Sequence, residues 1–225
     1  MTRQKSGLAA ALIVLLALVS ATAYNPADLQ KLLETNACPG CDLSGADLSG
    51  RSLAKANLAG ANLTEANLSE ADLQGADLSE ADLTGANLER AKLGTAILKG
   101  AKLDGAMVRH ADLQAVKAQN VSMVKADLSG SNLGGADLMH GVLTEGTFMA
   151  TNFTGALLDA ANMQRANLTG ANFRNANLLM ANMVDAILFG ANLQGATLIS
   201  ADLTGANTFG AVFRDAVTAG CKGCQ

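Results

Sequence analysis

The chain has 225 residues, a formal net charge of −4, 49% hydrophobic residues, 3% aromatic residues, two Pro and no Trp. Nonspecific binding to nucleic acid needs clustered Lys and Arg, and base stacking needs rings, so this composition argues against both. The long apolar run is confined to the N-terminus, which excludes a polytopic membrane protein.

That run opens the chain. Arg3 and Lys5 precede an apolar stretch from Leu8 to Val19, and Ala21-Thr22-Ala23 places small residues where a signal peptidase reads. The order predicts a secretory signal peptide over residues 1–23, cleaved after Ala23. About 12 apolar residues are too few to cross a ~30 Å hydrocarbon core comfortably, so no stable membrane insertion is expected after cleavage. The expected site of action is outside the cytoplasm, in the periplasm or another exported compartment, with secretion as the alternative.

Asn25-Pro26-Ala27-Asp28 then reads as a helix start, with Asn as N-cap, Pro in the first turn and an acid beside it. Leu29, Leu32 and Leu33 are expected to form one apolar face. Residues 24–41 are thus expected to be a capping helix followed by the turn Cys38-Pro39-Gly40-Cys41.

From Leu43 to Phe213 every fifth residue is Leu, Met, Phe or Val, except Ala118 and Thr208, and no insertion breaks the register. Call this position i. Position i−2 is mostly Ala and i−1 usually Asn or Asp, as in Ala46-Asp47-Leu48-Ser49-Gly50 and Ala201-Asp202-Leu203-Thr204-Gly205. A helix would drift about 140° per pentapeptide and smear its Leu residues around all faces. A plain strand would send successive Leu residues to opposite faces. The period fits a short strand-like side followed by a corner. Positions i−2 and i then point inward, while i−1, i+1 and i+2 point outward. Gly at i+2 suits a corner that needs permissive backbone angles, and Asn or Asp at i−1 suits bonding to the corner backbone.

The A(D/N)LXX pattern resembles the pentapeptide-repeat family across residues 42–215. That resemblance implies an all-β solenoid, a right-handed quadrilateral β-helix, here with a short N-terminal capping helix. Four sides per coil is what the family implies; the period alone leaves the number open. Leu32-Leu33-Glu34-Thr35 with the Cys pair also resembles exported cyanobacterial members, some of them in the thylakoid lumen. At the usual strand spacing the solenoid would be a rod about 40 Å long.

With four sides, residues 20 apart stack. Ala118 removes a filler from its column, and Val116 and Val121 put larger groups where Ala is usual. Either a local bulge near residues 115–122 or compensation between neighbours is expected. At the far end, the pattern of Ala211–Gly220 leaves a final coil and a short helix both open, and residues 216–225, with the second Cys-x-x-Cys, are expected to be a C-terminal cap.

The Cys residues form two Cys-x-x-Cys pairs, Cys38/Cys41 and Cys221/Cys224, expected just outside the repeat at opposite ends. Nine coils, about 43 Å at the strand spacing, separate Cys41 from Cys221, so one zinc site cannot gather all four sulfurs. An exported chain favours local structural disulfides, Cys38–Cys41 and Cys221–Cys224. A thiol–disulfide redox protein is the alternative.

A filled solenoid offers no catalytic cleft, and His110 and His140 fall on opposite sides, so neither an enzyme nor a cofactor or metal site is expected. Residues 42–89 carry Asp42, Asp47, Glu65, Glu70, Asp72, Asp77, Glu80, Asp82 and Glu89 against Arg51 and Lys55. An acidic-surface module, binding a cation or imitating DNA as some family members do, is a second alternative. Beyond residue 116 the outward positions gain apolar residues. Leu157, Leu179, Met180, Phe189, Ile199 and Phe209 are the candidate interaction surface, with Val124, Met139, Val142, Met149, Val184, Ile187 and Val212 around them. Because Thr208 sits at i, a one-residue slip could instead turn Phe209 inward. The favoured function is an exported, non-enzymatic scaffold presenting a rigid surface to a protein partner or to a second copy.

Overall fold

A computed structural model describes residues 24–224. The expected signal peptide, residues 1–23, lies outside the described residues.

The chain first forms helix α1, Pro26–Thr35. The Asn25 side chain accepts the Ala27 N–H at 3.0 Å, which satisfies one of the helix's orphan donors. Asn36 ends the helix in the left-handed region (φ 55°), its N–H donating to the Leu32 carbonyl. Leu32 is buried and Leu29 half-buried against the first coil, whereas Leu33 is 47% exposed. The expected three-Leu face is therefore only two Leu wide. One step of about 100° past Leu32 carries Leu33 off the contact.

Everything after α1 is solenoid. Each bridge is parallel and joins a residue to the one 20 later, from Ala37–Asn57 to Asp202–Lys222. Twenty residues are four pentapeptides, so each coil has four sides. Three bonds per side tie one coil to the next. Leu43 N–H donates to the Asn62 carbonyl, Asn62 N–H to the Cys41 carbonyl and Gly45 N–H to the Thr64 carbonyl, each at 2.8 Å.

Corners repeat as faithfully. The Ala46 N–H donates to the Leu43 carbonyl at 3.0 Å, closing a turn whose i+2 residue has positive φ. Gly45 takes that conformation at φ 65° without Cβ strain. Glu65 takes it at φ 56° because the coil imposes it. Residue i−1 supplies the remaining acceptor. Asn62 Oδ1 accepts the Thr64 N–H at 3.2 Å and the Thr64 hydroxyl at 2.8 Å, while Asn62 Nδ2 donates to Asp42 Oδ1 one coil back at 3.0 Å. That dual use explains why Asn and Asp alternate at this position.

Inside, Leu at i and Ala at i−2 are buried in every coil up to Leu203. Near Ala118 the ladder runs straight: Ala118 N–H reaches the Asp137 carbonyl at 2.7 Å and Lys117 N–H the Ala96 carbonyl at 2.9 Å. Volume compensation, not a bulge, is the outcome. Val116 and Val121 are fully buried, and one coil above Val121 stands Gly141, where an added Cβ would come within 3.4 Å of the Val121 methyl. Gly146 makes room for Phe148 in the same way, its added Cβ meeting the ring at 2.6 Å. Phe153 and Phe173 stack with centroids 4.8 Å apart.

Two hydroxyls replace Ala methyls in the core. Ser131 Oγ accepts the Ala111 N–H at 3.1 Å and donates to the Val108 carbonyl at 2.5 Å, bridging two groups that bond directly at other corners. Thr151 donates to the Leu128 carbonyl at 2.8 Å. Both polar groups are satisfied, so burial carries no unpaired-donor penalty.

Candidate interaction surfaces and the two disulfides

Cys38 and Cys41 are bonded, as are Cys221 and Cys224. Neither pair lies outside the repeat. Cys38 occupies position i and Cys41 position i−2 of the first coil, 0% and 5% exposed, so this disulfide is a piece of core. Asp28 of α1 packs over it. Its carboxylate accepts the Asp42 N–H at 2.9 Å and its carbonyl oxygen lies 3.2 Å from the Cys38 sulfur. Among the described residues, Asp28, Cys38 and Cys41 form a cluster with ligand atoms within 4.8 Å of one another. With both sulfurs in the disulfide and the carboxylate on a backbone N–H, the cluster has no thiolate to offer a metal.

The second disulfide sits differently. Residues 211–220 continue the solenoid, with Val217 bridged to Thr197 and Lys222 to Asp202, which settles the far end as a coil. Cys221 holds an inward i−2 position and Cys224 an outward one, and both are half-buried.

The apolar residues of the C-terminal half divide between faces. One side, built from residues 147–150, 167–170, 187–190 and 207–210, contains no charged residue. It exposes Met149, Ile187, Phe189 and Phe209, the last at 76%. Phe189 and Phe209 stack with centroids 5.8 Å apart and planes 14° from parallel. Thr208 keeps the register at i, so Phe209 stays outside. Its N–H bonds Asn207 Oδ1 at 3.2 Å, as at other corners. Ten residues, hence two sides, away lies the opposite face, with Leu157, Leu179, Met180 and Ile199. Met180 is 57% exposed, while Leu179 and Ile199 are only half-buried. The six candidate residues therefore make two surfaces back to back, a phenylalanine side and a methionine side.

The acidic half looks different again. Asp42, Asp47, Asp72, Asp77 and Asp82 each spend Oδ1 on the N–H two residues on. The Ser49 hydroxyl and N–H hold the Asp47 carboxyl below its ordinary value. For Asp82, burial pushes upward, but the bonds from Thr84 outweigh it and the net direction is down. Asp127 behaves likewise. Burial is opposed by Ser129 and by Arg109, whose Nε lies 2.6 Å away, and its carboxyl ends low while the guanidinium is raised. These carboxylates brace corners on several sides and do not converge.

His110 and His140 occupy i+2 corners, φ 56° and 59°. Their 30-residue separation is one and a half coils, so they cannot act together. A shallow groove of about 610 Å³ escaped the sequence reading. It runs up one side where Gly94 and Gly134 remove outward side chains, over Asp112, Asn132 and Asn152. Its amide groups are joined in a ladder, Asn152 Nδ2 to Asn132 Oδ1 at 2.9 Å. The signal was present as Gly at i+1, two coils apart.

No described helix is long and apolar enough to cross a membrane. Comparison with curated proteins gave no match. The family model for pentapeptide repeats matches residues 41–79, 76–114, 109–144, 151–190 and 186–217. Among solved structures, HetL, a pentapeptide repeat protein involved in heterocyst differentiation regulation in the cyanobacterium Nostoc sp. strain PCC 7120, is 30% identical. The match covers 79% of this chain and 86% of HetL, with a TM-score of 0.44. QnrB1, a plasmid-mediated fluoroquinolone resistance protein, is 20% identical over 72% of this chain and 81% of its own, with a TM-score of 0.58. A pentapeptide repeat protein of the Arabidopsis thaliana thylakoid lumen is 27% identical over 59% of this chain and 72% of its own, with a TM-score of 0.30. Twenty-residue coils with Leu and Ala inside, matched by the family model over most of the chain, make this protein a member of the pentapeptide-repeat family.

Proposed function

We propose that this protein is an exported, non-enzymatic interaction scaffold, a right-handed quadrilateral rod whose C-terminal half carries the binding surfaces. The observation that carries the reading is the contrast between the halves. Outward apolar residues concentrate beyond residue 116, and the phenylalanine side has no charge over four successive coils. Exposed apolar area of this kind marks a protein contact. Its rings are held on backbone bonded coil to coil, so little ordering entropy is lost on binding. The packed Leu and Ala interior leaves a surface to be recognised in place of a substrate cleft.

Export is supported by the n-, h- and c-region order of residues 1–23 and by two disulfides, which persist in oxidising compartments. The periplasm or a thylakoid lumen fits this chemistry. Redox work is disfavoured for Cys38–Cys41, because a sulfur buried in the core is closed to an attacking thiolate.

The test has two arms. Intact mass of protein from its native cell is expected to begin at Tyr24, and a retained Met1 or four free thiols would refute export. Cross-linking in that compartment is expected to trap a protein contact that Phe189→Glu with Phe209→Glu, or Leu179→Glu with Met180→Glu, removes. A cross-link that survives both pairs refutes the surface assignment.

A further inference from the structure

At many corners the oxygen that braces the turn is also capped by a hydroxyl. Asn67 Oδ1 accepts the Ser69 N–H at 3.2 Å, the Ser69 hydroxyl at 2.8 Å and Asn87 Nδ2 at 3.3 Å. Asn152 Oδ1 does the same with Thr154 and Asn172. On the groove side the hydroxyl is missing in two successive coils. Asn132 Oδ1 accepts the Gly134 N–H at 3.1 Å and Asn152 Nδ2 at 2.9 Å. Asp112 Oδ1 accepts the Gln114 N–H at 3.1 Å and Asn132 Nδ2 at 3.3 Å. Among the described residues no hydroxyl reaches either oxygen. Elsewhere a missing hydroxyl comes with a covering side chain, as with Leu179 beyond Asn177. Here glycine leaves the acceptors open. A Cβ on Gly134 would stand 3.2 Å from Asn132 Oδ1 and 3.4 Å from Asn152 Nδ2, and one on Gly94 would stand 3.9 Å from Asp112 Oδ2. The groove of about 610 Å³ includes the space that those side chains would take.

We propose that this groove binds an extended, uncharged oligosaccharide, whose hydroxyls supply the donors that the repeat withholds at Asp112 and Asn132. This is a second binding activity, independent of the protein contact, on the side of the rod between the two apolar faces. Three observations select a sugar chain. The first is bonding capacity. A sugar hydroxyl is donor and acceptor at once, so it can cap the Asn132 oxygen and take the second Nδ2 proton of Asn152. Asn67 shows that an oxygen in this position has room for a third bond. The second is spacing. The open acceptors recur at the coil step of about 4.8 Å, close to the advance of one pyranose unit in an extended chain. A peptide strand repeats its same-side groups every two residues, about 6.8 Å, and falls out of register within one coil. The third is charge. Asp112 is the only ionised group among the lining residues, so acidic sugars and phosphates are repelled. Gln74 and Gln114, two coils apart on the rim, have side-chain amides long enough to reach the edges of such a ligand.

The test is an amide-resolved NMR titration of the disulfide-intact protein with cellotetraose and with the tetramer of N-acetylglucosamine, each to about 20 mM. Saturable shifts are expected at the Asn132 and Asn152 side-chain amides and at Gly94 and Gly134, with a Kd of about 1 mM for at least one tetramer. Gly134→Thr restores the repeat's own hydroxyl, as at Thr154, and is expected to weaken binding at least about tenfold. Gly94→Thr, whose Cβ would meet nothing nearer than 3.9 Å, is expected to do the same and decides the matter if the first variant misfolds. An uncharged Ser/Asn peptide of matched length is expected to give no saturable shift. Absence of saturation by both sugars overturns the proposal. So does binding that survives both glycine substitutions, a set of shifts confined to another side, or a peptide held as tightly as the sugars.

Discussion

The first and last coils share one backbone plan but differ at position i, with Cys38, Leu43, Leu48 and Leu53 in the first and Thr208, Phe213 and Thr218 in the last, and they are held by different means. At the N-terminal end a Leu from α1, a buried disulfide and an aspartate complete what the coil lacks. In the last described coil Phe213 is only partly buried where Phe153, on the same side three coils earlier, is sealed. In a stack of nearest neighbours, a residue's worth is set by whether a coil lies on both sides of it.

The largest effect should come from that pair of rings. Phe153→Ala empties a stacked site and is expected to cost about 3–5 kcal/mol. Phe213→Ala should cost less, under about 3 kcal/mol, because its ring is only partly buried. Urea unfolding of both variants at low protein concentration measures the gap, and equal losses would break the comparison of ends.

The disulfides give the next test. Replacing Cys38 and Cys41 by Ala removes both a short-loop constraint and core volume, for an expected loss of about 3–4 kcal/mol. The Cys221→Ala, Cys224→Ala pair loses little core and should cost under about 2 kcal/mol. Hydrogen exchange should show its effect confined to the last coil.

Acid sensitivity sharpens the contrast further. Asp47, Asp82, Asp127 and Asp202 have folded-state values below the ordinary 3.8. Their contribution is therefore complete above that pH and fades as pH falls through the lowered values. Thermal unfolding should be flat from neutrality to about pH 4 with respect to these groups and decline below. Asp82→Asn with Asp127→Asn keeps both corner acceptors. It should change neutral stability by less than about 1 kcal/mol and shallow the acid decline.

The smallest effect belongs to a corner. Ala160 holds φ 52°, a conformation glycine adopts freely. Ala160→Gly should stabilise by at most about 1 kcal/mol, the strain relieved exceeding the added chain entropy. A lowered melting temperature would show that the corner carries no such strain.

Much of this was legible in advance because the repeat writes one rule many times. Leu43 and Ala46 announce the interior, and Asn62 announces the corner brace that it forms. What escaped depends on partners one coil away. Val121 reads as an overpacked site until Gly141 is seen above it, and nothing in the repeat pattern announces that Ser131 bridges Val108 and Ala111. Cys38 and Cys41 looked external because sequence pattern recognises Leu and Ala, whereas the coil recognises only inward apolar volume. Leu33 failed for a plainer reason: a ten-residue helix on a square end has one narrow line of contact. The division of the interaction surfaces was legible too: with four sides per coil, the half-coil offset between Leu179/Ile199 and Phe189/Phe209 puts the two pairs on opposite faces, and the 20-residue bridges agree.

Because one turn takes 20 residues in units of five, length and azimuth are coupled in this molecule. Excising a whole turn shortens the rod and leaves downstream columns where they were. Excising a single pentapeptide from the middle, such as 116–120, would keep every inward methyl in kind and yet swing everything after it by a quarter revolution. Deletions of five, ten and fifteen residues thus form a dial that moves the aromatic face around the axis while chemistry elsewhere stays constant.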